Sequence, residues 1–222
     1  MSYQWDIQNR AGYNNRMGRY RYANEFEFIK KYLGDGKSIL DIGGGSGRFA
    51  IPLIELGYGV TVVDKDSEAL EILQQRSHAV KCINSDFINA EIVGLYDNII
   101  AIEVLYYFDD YSEFFKKVAG LMKRNAKCIL MFENPQSPRY YIRKIRKNVL
   151  NIYHPERMDR IKKIISETGF RIESKSGFNW VPLSVSSDSI LVEAFAKLEK
   201  TFGLGKIESI SPLLMYSLVK EE

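Results

Sequence analysis

The sequence predicts an α/β fold in which helices cover both faces of a mostly parallel sheet. Three observations carry that reading. Five short, near-continuous apolar runs have the length and composition of buried strands: Ser38–Ile42, Gly59–Asp64, Ala79–Asn84, Asn98–Glu103 and Lys127–Phe132. Helical periodicity fills the gaps between the first three and between the last two, with an irregular stretch over Phe87–Leu95. The first run also breaks into Gly43-Gly44-Gly45-Ser46-Gly47 before a helical pattern resumes. Strand, glycine turn and helix N-terminus together form a cradle for a nucleotide-like ligand.

The bulk numbers bound the rest. A chain of 222 residues with 45% apolar composition fits one soluble domain with appended pieces. A net charge of +3 permits an anionic partner without demanding one. No apolar run reaches the ~18 residues of a membrane span, and Met1-Ser2-Tyr3-Gln4-Trp5-Asp6 lacks the pattern of a signal peptide. Cys82 and Cys128 lie inside apolar runs and read as buried free thiols, so a reducing cytoplasm is the expected home.

In chain order, residues 1–24 mix aromatics with arginines and are expected to pack on the body or over a ligand. Phe26, Phe28, Ile29, Tyr32 and Leu33 mark a helix over Asn24–Leu33, stopped by Gly34. The helix after the glycines is expected to bury Phe49, Leu53, Ile54 and Leu56 and to end at Gly57, but Pro52 requires it to start late or kink. Further helices are expected from Ser67, over Asp110–Lys123 and over Glu156–Thr168, the last opened by Pro155. Phe170–Ser176 reads as strand, Ser187–Phe202 as helix and Ser211–Val219 as the seventh strand. The expected layout is one domain: a helical N-terminal lid (1–36), a ligand-binding core (37–134), and insertions at 135–155 and 184–206 over the ligand edge.

The glycine loop has two registers. Gly45-x-Gly47-x-x-Ala50 is a loose dinucleotide fingerprint and would imply a nicotinamide-dependent oxidoreductase. Gly43-x-Gly45-x-Gly47, preceded by Asp41, is the other. Asp64 ends the second strand and can take ribose hydroxyls in either. Asp86 and Phe87 close the third strand, where an acid can accept from an adenine amino group and an aromatic can stack on the ring. Acids at three strand ends suit a cationic ligand, whereas a pyrophosphate would be repelled.

In the second register the residues resemble the class I S-adenosylmethionine-dependent methyltransferases. Leu40-Asp41-Ile42-Gly43-Gly44-Gly45-Ser46-Gly47 resembles their first motif, Val62-Val63-Asp64 the ribose-binding acid, and Asn84-Ser85-Asp86-Phe87 the adenine-contacting motif. The run Tyr96–Leu105 resembles the fourth-strand motif that borders the methyl donor. Lys123-Arg124-Asn125-Ala126 departs from the usual glycine-rich turn before the fifth strand. The resemblance implies a Rossmann-like sheet of seven strands, the last antiparallel. It implies S-adenosylmethionine as cofactor and S-adenosylhomocysteine as product. The cofactor-binding residues it points to are Asp41, Gly43, Gly44, Gly45, Gly47, Asp64, Lys65, Asp86, Phe87 and Glu103; no metal is assigned. Asp41 is open between organising the loop and touching the ligand, and Glu103 between lining the site and capping its strand.

For the acceptor the sequence offers less. His154, Glu103, Tyr106 and Tyr107 are the candidates for acceptor chemistry, against bland readings as helix cap, strand cap and packing aromatics. Arg139–Lys147 holds five basic residues and no acid, which suits a phosphorylated, carboxylated or lipid-linked acceptor, or else is a solvated helix face. Glu103-Val104-Leu105-Tyr106-Tyr107 lacks the proline-rich run of base-amine methyltransferases, and no RNA-binding module is apparent. The expected acceptor is therefore a small or lipid-linked molecule methylated on oxygen or nitrogen. An RNA-binding protein that keeps the fold is the rival from another class.

Overall fold

Strand β1 (Ser38–Ile42) lies between β2 (Gly59–Asp64) and β4 (Tyr96–Ile102), parallel to both, with Asp41 opposite Val62 on one side and Ile100 on the other. The computed structural model describes residues 14–145 and 157–221. Its single sheet runs β3 (Lys81–Asn84), β2, β1, β4, β5 (Met122–Glu133), β7 (Leu213–Lys220), β6 (Phe170–Phe178). Only β7 is antiparallel, pairing β5 and β6. The sheet is therefore the Rossmann-like one the sequence implied.

Side chains alternate across a strand, so each face of β1 meets a different core. Leu40 and Ile42 join Phe114, Val118, Ile161 and Ile165 beneath α4 (Tyr111–Leu121) and α6 (Met158–Glu167). Ile39 joins Phe28, Ile29, Leu53 and Leu73 beneath α1 (Arg16–Tyr32), α2 (Ala50–Glu55) and α3 (Ser67–Arg76). Asp41 shares the Ile39 face by the same alternation, which puts a carboxylate under the glycine turn.

Helix α2 starts late, as Pro52 requires. Gly47–Phe49 form a turn and the helix begins at Ala50, so Pro52 falls in the first turn, where its missing amide hydrogen has no intrahelical partner to lose. Two boundaries differ from the sequence reading. The first helix begins at Arg16 rather than Asn24, capped by the Asn15 side chain accepting from Gly18 N at 2.8 Å. Its inward face carries Arg21 and the fully buried Glu25, so apolar periodicity could not reveal it. The expected turn at Lys123–Ala126 is instead an irregular part of β5. Tyr96 faces Met122 and Asn98 faces Lys127, so the extra residues bulge out with Asn125 at φ 61°.

Leu213 at the start of β7 faces both Glu133 and Phe178. The ends of β5 and β6 therefore share one edge of the sheet with the ends of β1 to β4. Helix α5 (Pro138–Ile145) follows β5 at that edge. Helix α7 (Leu191–Thr201), which follows β6, is tied to α1 by Arg16–Glu193, and Met17 N bonds to Ser187 O at 3.1 Å. Pro155 and His154 lie outside the described residues.

Candidate functional site

The glycine turn is built from close approaches. Gly43, Gly45 and Gly47 have φ of 70°, 50° and 88°. A side chain at Gly43 would also strike Val104 Cγ1 at 2.3 Å, and one at Gly44 would strike Asp41 Oδ2 at 2.5 Å. Asp64 fixes the loop from the next strand: its Oδ2 accepts from Gly45 N and its Oδ1 from Asp66 N, both at 2.9 Å. Each oxygen keeps a second lone pair for a ligand hydroxyl. Burial raises the Asp64 pKa, and those two backbone bonds oppose the rise.

Asp41 lies below. It is 1% exposed, and its Oδ2 has no hydrogen-bond partner. Burial first, then the neighbouring Asp64 charge, push its carboxyl up to about 7, against the pull of Arg48. An orphaned buried carboxylate oxygen calls for a donor or a cation, and the atom it underlies is the backbone of Gly44. At the β3 end, Asp86 is exposed and accepts from Ile88 N at 2.9 Å. Lys65 is exposed beside Asp64. Phe87 is a correction: its ring is buried against Phe108 and Phe114, with Lys117 Nζ 5.4 Å from its centroid, so it has no open face on which a base could stack.

At the β4 end, Glu103 sits at φ 60°, a strained backbone for a residue with a side chain. It is held by Arg21 of α1 and by Arg48 at 3.6 Å, and both arginines also reach Glu25. Burial raises the Glu25 pKa, against Arg48 and Arg21. The network ties α1, the glycine turn and β4 together. Sequence reading missed Arg21, Glu25 and Arg48; the available signals were an arginine directly after the last glycine and an i, i+4 Arg–Glu pair within an aromatic helix. Tyr106 is buried and its ring lies 4.7 Å from that of Tyr107, both in the short turn after β4. The structure thus gathers Asp41, the glycines and Asp64, and places Glu103 across the loop in an arginine network.

Farther along the edge, Tyr20 hydrogen-bonds Glu199 and accepts from Asn179 N at 3.0 Å. Arg143 pairs with Glu133 at the end of β5, while Arg139 donates to the carbonyls of Asn179, at 3.0 Å, and Val181. The basic run is therefore partly turned inward; Tyr141, Ile142 and Ile145 are exposed.

A mostly parallel seven-stranded sheet with a final antiparallel strand, and a glycine turn braced by acids, define the class I S-adenosylmethionine-dependent methyltransferase fold. The chain belongs to the methyltransferase-domain family, whose profile matches residues 13–175. Among curated relatives, a ubiquinone biosynthesis O-methyltransferase of Rickettsia felis is 25% identical over 144 residues, 62% of this chain and 59% of that protein. The match thus spans about three-fifths of that relative's length. A ribosomal protein L11 methyltransferase of Thermotoga maritima is 35% identical over 79 residues, 33% of this chain and 30% of that one. Among solved structures, an S-adenosylmethionine-dependent methyltransferase from Mesorhizobium loti superposes with TM-score 0.66 at 18% identity, covering 90% of this chain and 99% of that one. Magnesium protoporphyrin IX methyltransferase from Synechocystis gives 0.65 at 17%, covering 100% and 90%. At these identities the structures establish the fold alone. Family membership favours the Gly43-x-Gly45-x-Gly47 register over the dinucleotide one.

Proposed function

We propose that the protein binds S-adenosylmethionine at the glycine turn and transfers its methyl group to oxygen or nitrogen of a small-molecule or lipid-linked acceptor. The observation that carries this is the buried, unpartnered Asp41 Oδ2 beneath Gly44, beside an Asp64 carboxylate with lone pairs to spare. Such a set of acceptors fits a cationic, hydroxyl-bearing adenosyl ligand. Bound, that cofactor supplies a methyl group already activated on a positive sulfur.

The chain's residues would then hold and align. Asp64 takes the ribose hydroxyls, Asp86 the adenine amino group, and the backbone of Gly43–Gly47 the close-lying remainder, with Lys65 at the rim. Asp41 supplies negative charge from below. Glu103, held by Arg21 and Arg48, presents a fixed carboxylate edge rather than a mobile base. Tyr106 and Tyr107 close the β4 side. The reaction leans on positioning, which can contribute about 7–11 kcal/mol in well-aligned systems. Helix α1 and the segments 135–145 and 184–206 would cover the acceptor. No helix among the described residues is long and apolar enough to cross a membrane.

The test is a donor-saturated incubation with metabolite and lipid extracts, following isotopically labelled methyl by mass. A labelled O- or N-methyl product is expected. Label only in RNA, or none in any extract, would overturn the proposal.

A further inference from the structure

Arg139 differs from the other edge arginines in its partners. Arg21 and Arg48 meet Glu25 and Glu103, and Arg143 meets Glu133. The half-buried Arg139 guanidinium is held only by neutral acceptors, the carbonyls of Asn179 and Val181. Among the described residues no carboxylate comes within ion-pair distance of it. Burial lowers its pKa and the charges of Arg21 and Arg143 lower it further, while Tyr20 and Glu133 pull the other way from beyond contact distance. A cation kept partly out of water, with Glu133 and Glu199 acting on it only from a distance, is costly unless something negative meets it directly.

Its location gives that cost a use. Arg139 opens α5, directly after the end of β5, and its carbonyl partners follow the end of β6. It lies close enough to Arg21 to feel its charge, and Arg21 grips Glu103 at the end of β4. The backbone beneath is unusual too. Asn179 is 5% exposed at φ 73°, and its Oδ1 is buried without a partner. An orphaned amide oxygen and a guanidinium with no carboxylate in contact share one stretch of backbone on the acceptor side. Arg139 has five N–H groups, two of which go to carbonyls, so a fork remains for a planar or tetrahedral oxyanion.

We propose that Arg139 binds an oxyanion, carboxylate or phosphate, carried by the methyl acceptor, with Asn179 Oδ1 accepting from a neighbouring hydroxyl or amine of the same molecule. This rests on the methyltransferase reading of the site. It narrows the acceptor class to acidic molecules and makes Arg139 a specificity-determining residue, outside the cofactor contacts.

Calorimetric titration of the full chain, saturated with S-adenosylhomocysteine, with benzoate, phenyl phosphate and the neutral benzamide tests it. At least one anion should bind one-to-one and at least ten-fold more tightly than benzamide. Arg139→Gln should lose at least ten-fold of that affinity while holding S-adenosylhomocysteine within two-fold. The tighter of the two anions identifies the acceptor's acid as carboxylate or phosphate. Anion binding no better than benzamide, or unchanged by Arg139→Gln, overturns the inference. Should that variant fail to fold, the Arg139 Nε–Hε NMR signal of the wild-type chain is read instead: it should move with an anion and not with benzamide, and an unmoved signal overturns the inference. Failure of the wild-type chain to bind S-adenosylhomocysteine overturns the methyltransferase reading itself. Intact cofactor binding without Arg139-dependent anion binding overturns only this inference.

Discussion

The two halves of the sheet's ligand edge treat charge in opposite ways. After β1, β2 and β3, the acids Asp41, Asp64 and Asp86 accept from backbone amides or from nothing, and among the described residues no lysine or arginine forms an ion pair with them. After β4 and β5, Glu103 and Glu133 are each matched by arginine. One half keeps its negative charge in reserve; the other has spent it internally, and among the described residues Arg139 is left with carbonyl partners and no carboxylate in contact. The difference teaches that the edge is divided by ligand. On the function and the anion site proposed above, the first half would take a cation and the second an anion, with Arg48 and Glu103 on the boundary. Burial has a different consequence on each side: it raises the Asp41 and Asp64 pKa values in the first half and lowers that of Arg139 in the second.

Breaking the boundary should have the largest effect. Arg48→Met removes a partner of both Glu25 and Glu103 and leaves Arg21 alone against two carboxylates, one of them fully buried. The expected loss is about 3–5 kcal/mol of stability in urea denaturation. An unchanged midpoint would mean the network does not hold the two halves together.

The acidic half should show itself next, through pH. The Asp41 carboxyl is pushed up to about 7 from 3.8, so folding favours its protonated form. Its contribution is fully present below the unfolded pKa and is lost as pH rises through about 7. Asp41→Asn should therefore be the more stable protein at pH 8, by on the order of 3 kcal/mol, and near parity with wild type at pH 4. The same variant should bind S-adenosylmethionine more weakly, while the wild-type affinity for that cation climbs with pH through the same window. Parallel stability–pH curves for the two proteins would remove Asp41 from the account.

A smaller and more local effect is expected at Asp64. Asp64→Ala removes charge-assisted hydrogen bonds worth about 1.5–3 kcal/mol and should weaken S-adenosylhomocysteine binding ten-fold or more. Full affinity in that variant would deny Asp64 its ribose role.

Much of the acidic half was legible from sequence, for physical reasons. Buried parallel strands write themselves as apolar runs, and a turn that admits no side chain writes itself as glycine; Asp41 and Asp64 are conspicuous as acids at the ends of such runs. The other half was harder to read. Arg21 and Glu25 form a polar buried face on α1, so the rule that apolar residues point inward placed the helix start eight residues late. Phe87 was read as a stacking aromatic because it follows Asp86, yet a strand-end aromatic can as well turn into the core, and packing with Phe108 and Phe114 decides it. The basic run after β5 looked like one patch. Only three-dimensional pairing separates Arg143, neutralised by Glu133, from Arg139, held by carbonyls. Ion pairing joins residues distant in sequence and leaves no period to read.

The most direct test of the divided edge is calorimetric titration of the wild-type chain with S-adenosylhomocysteine and, separately, with NADH. The account predicts one-to-one micromolar binding of S-adenosylhomocysteine and no heat from the pyrophosphate-bearing NADH. Binding of NADH without S-adenosylhomocysteine would contradict it.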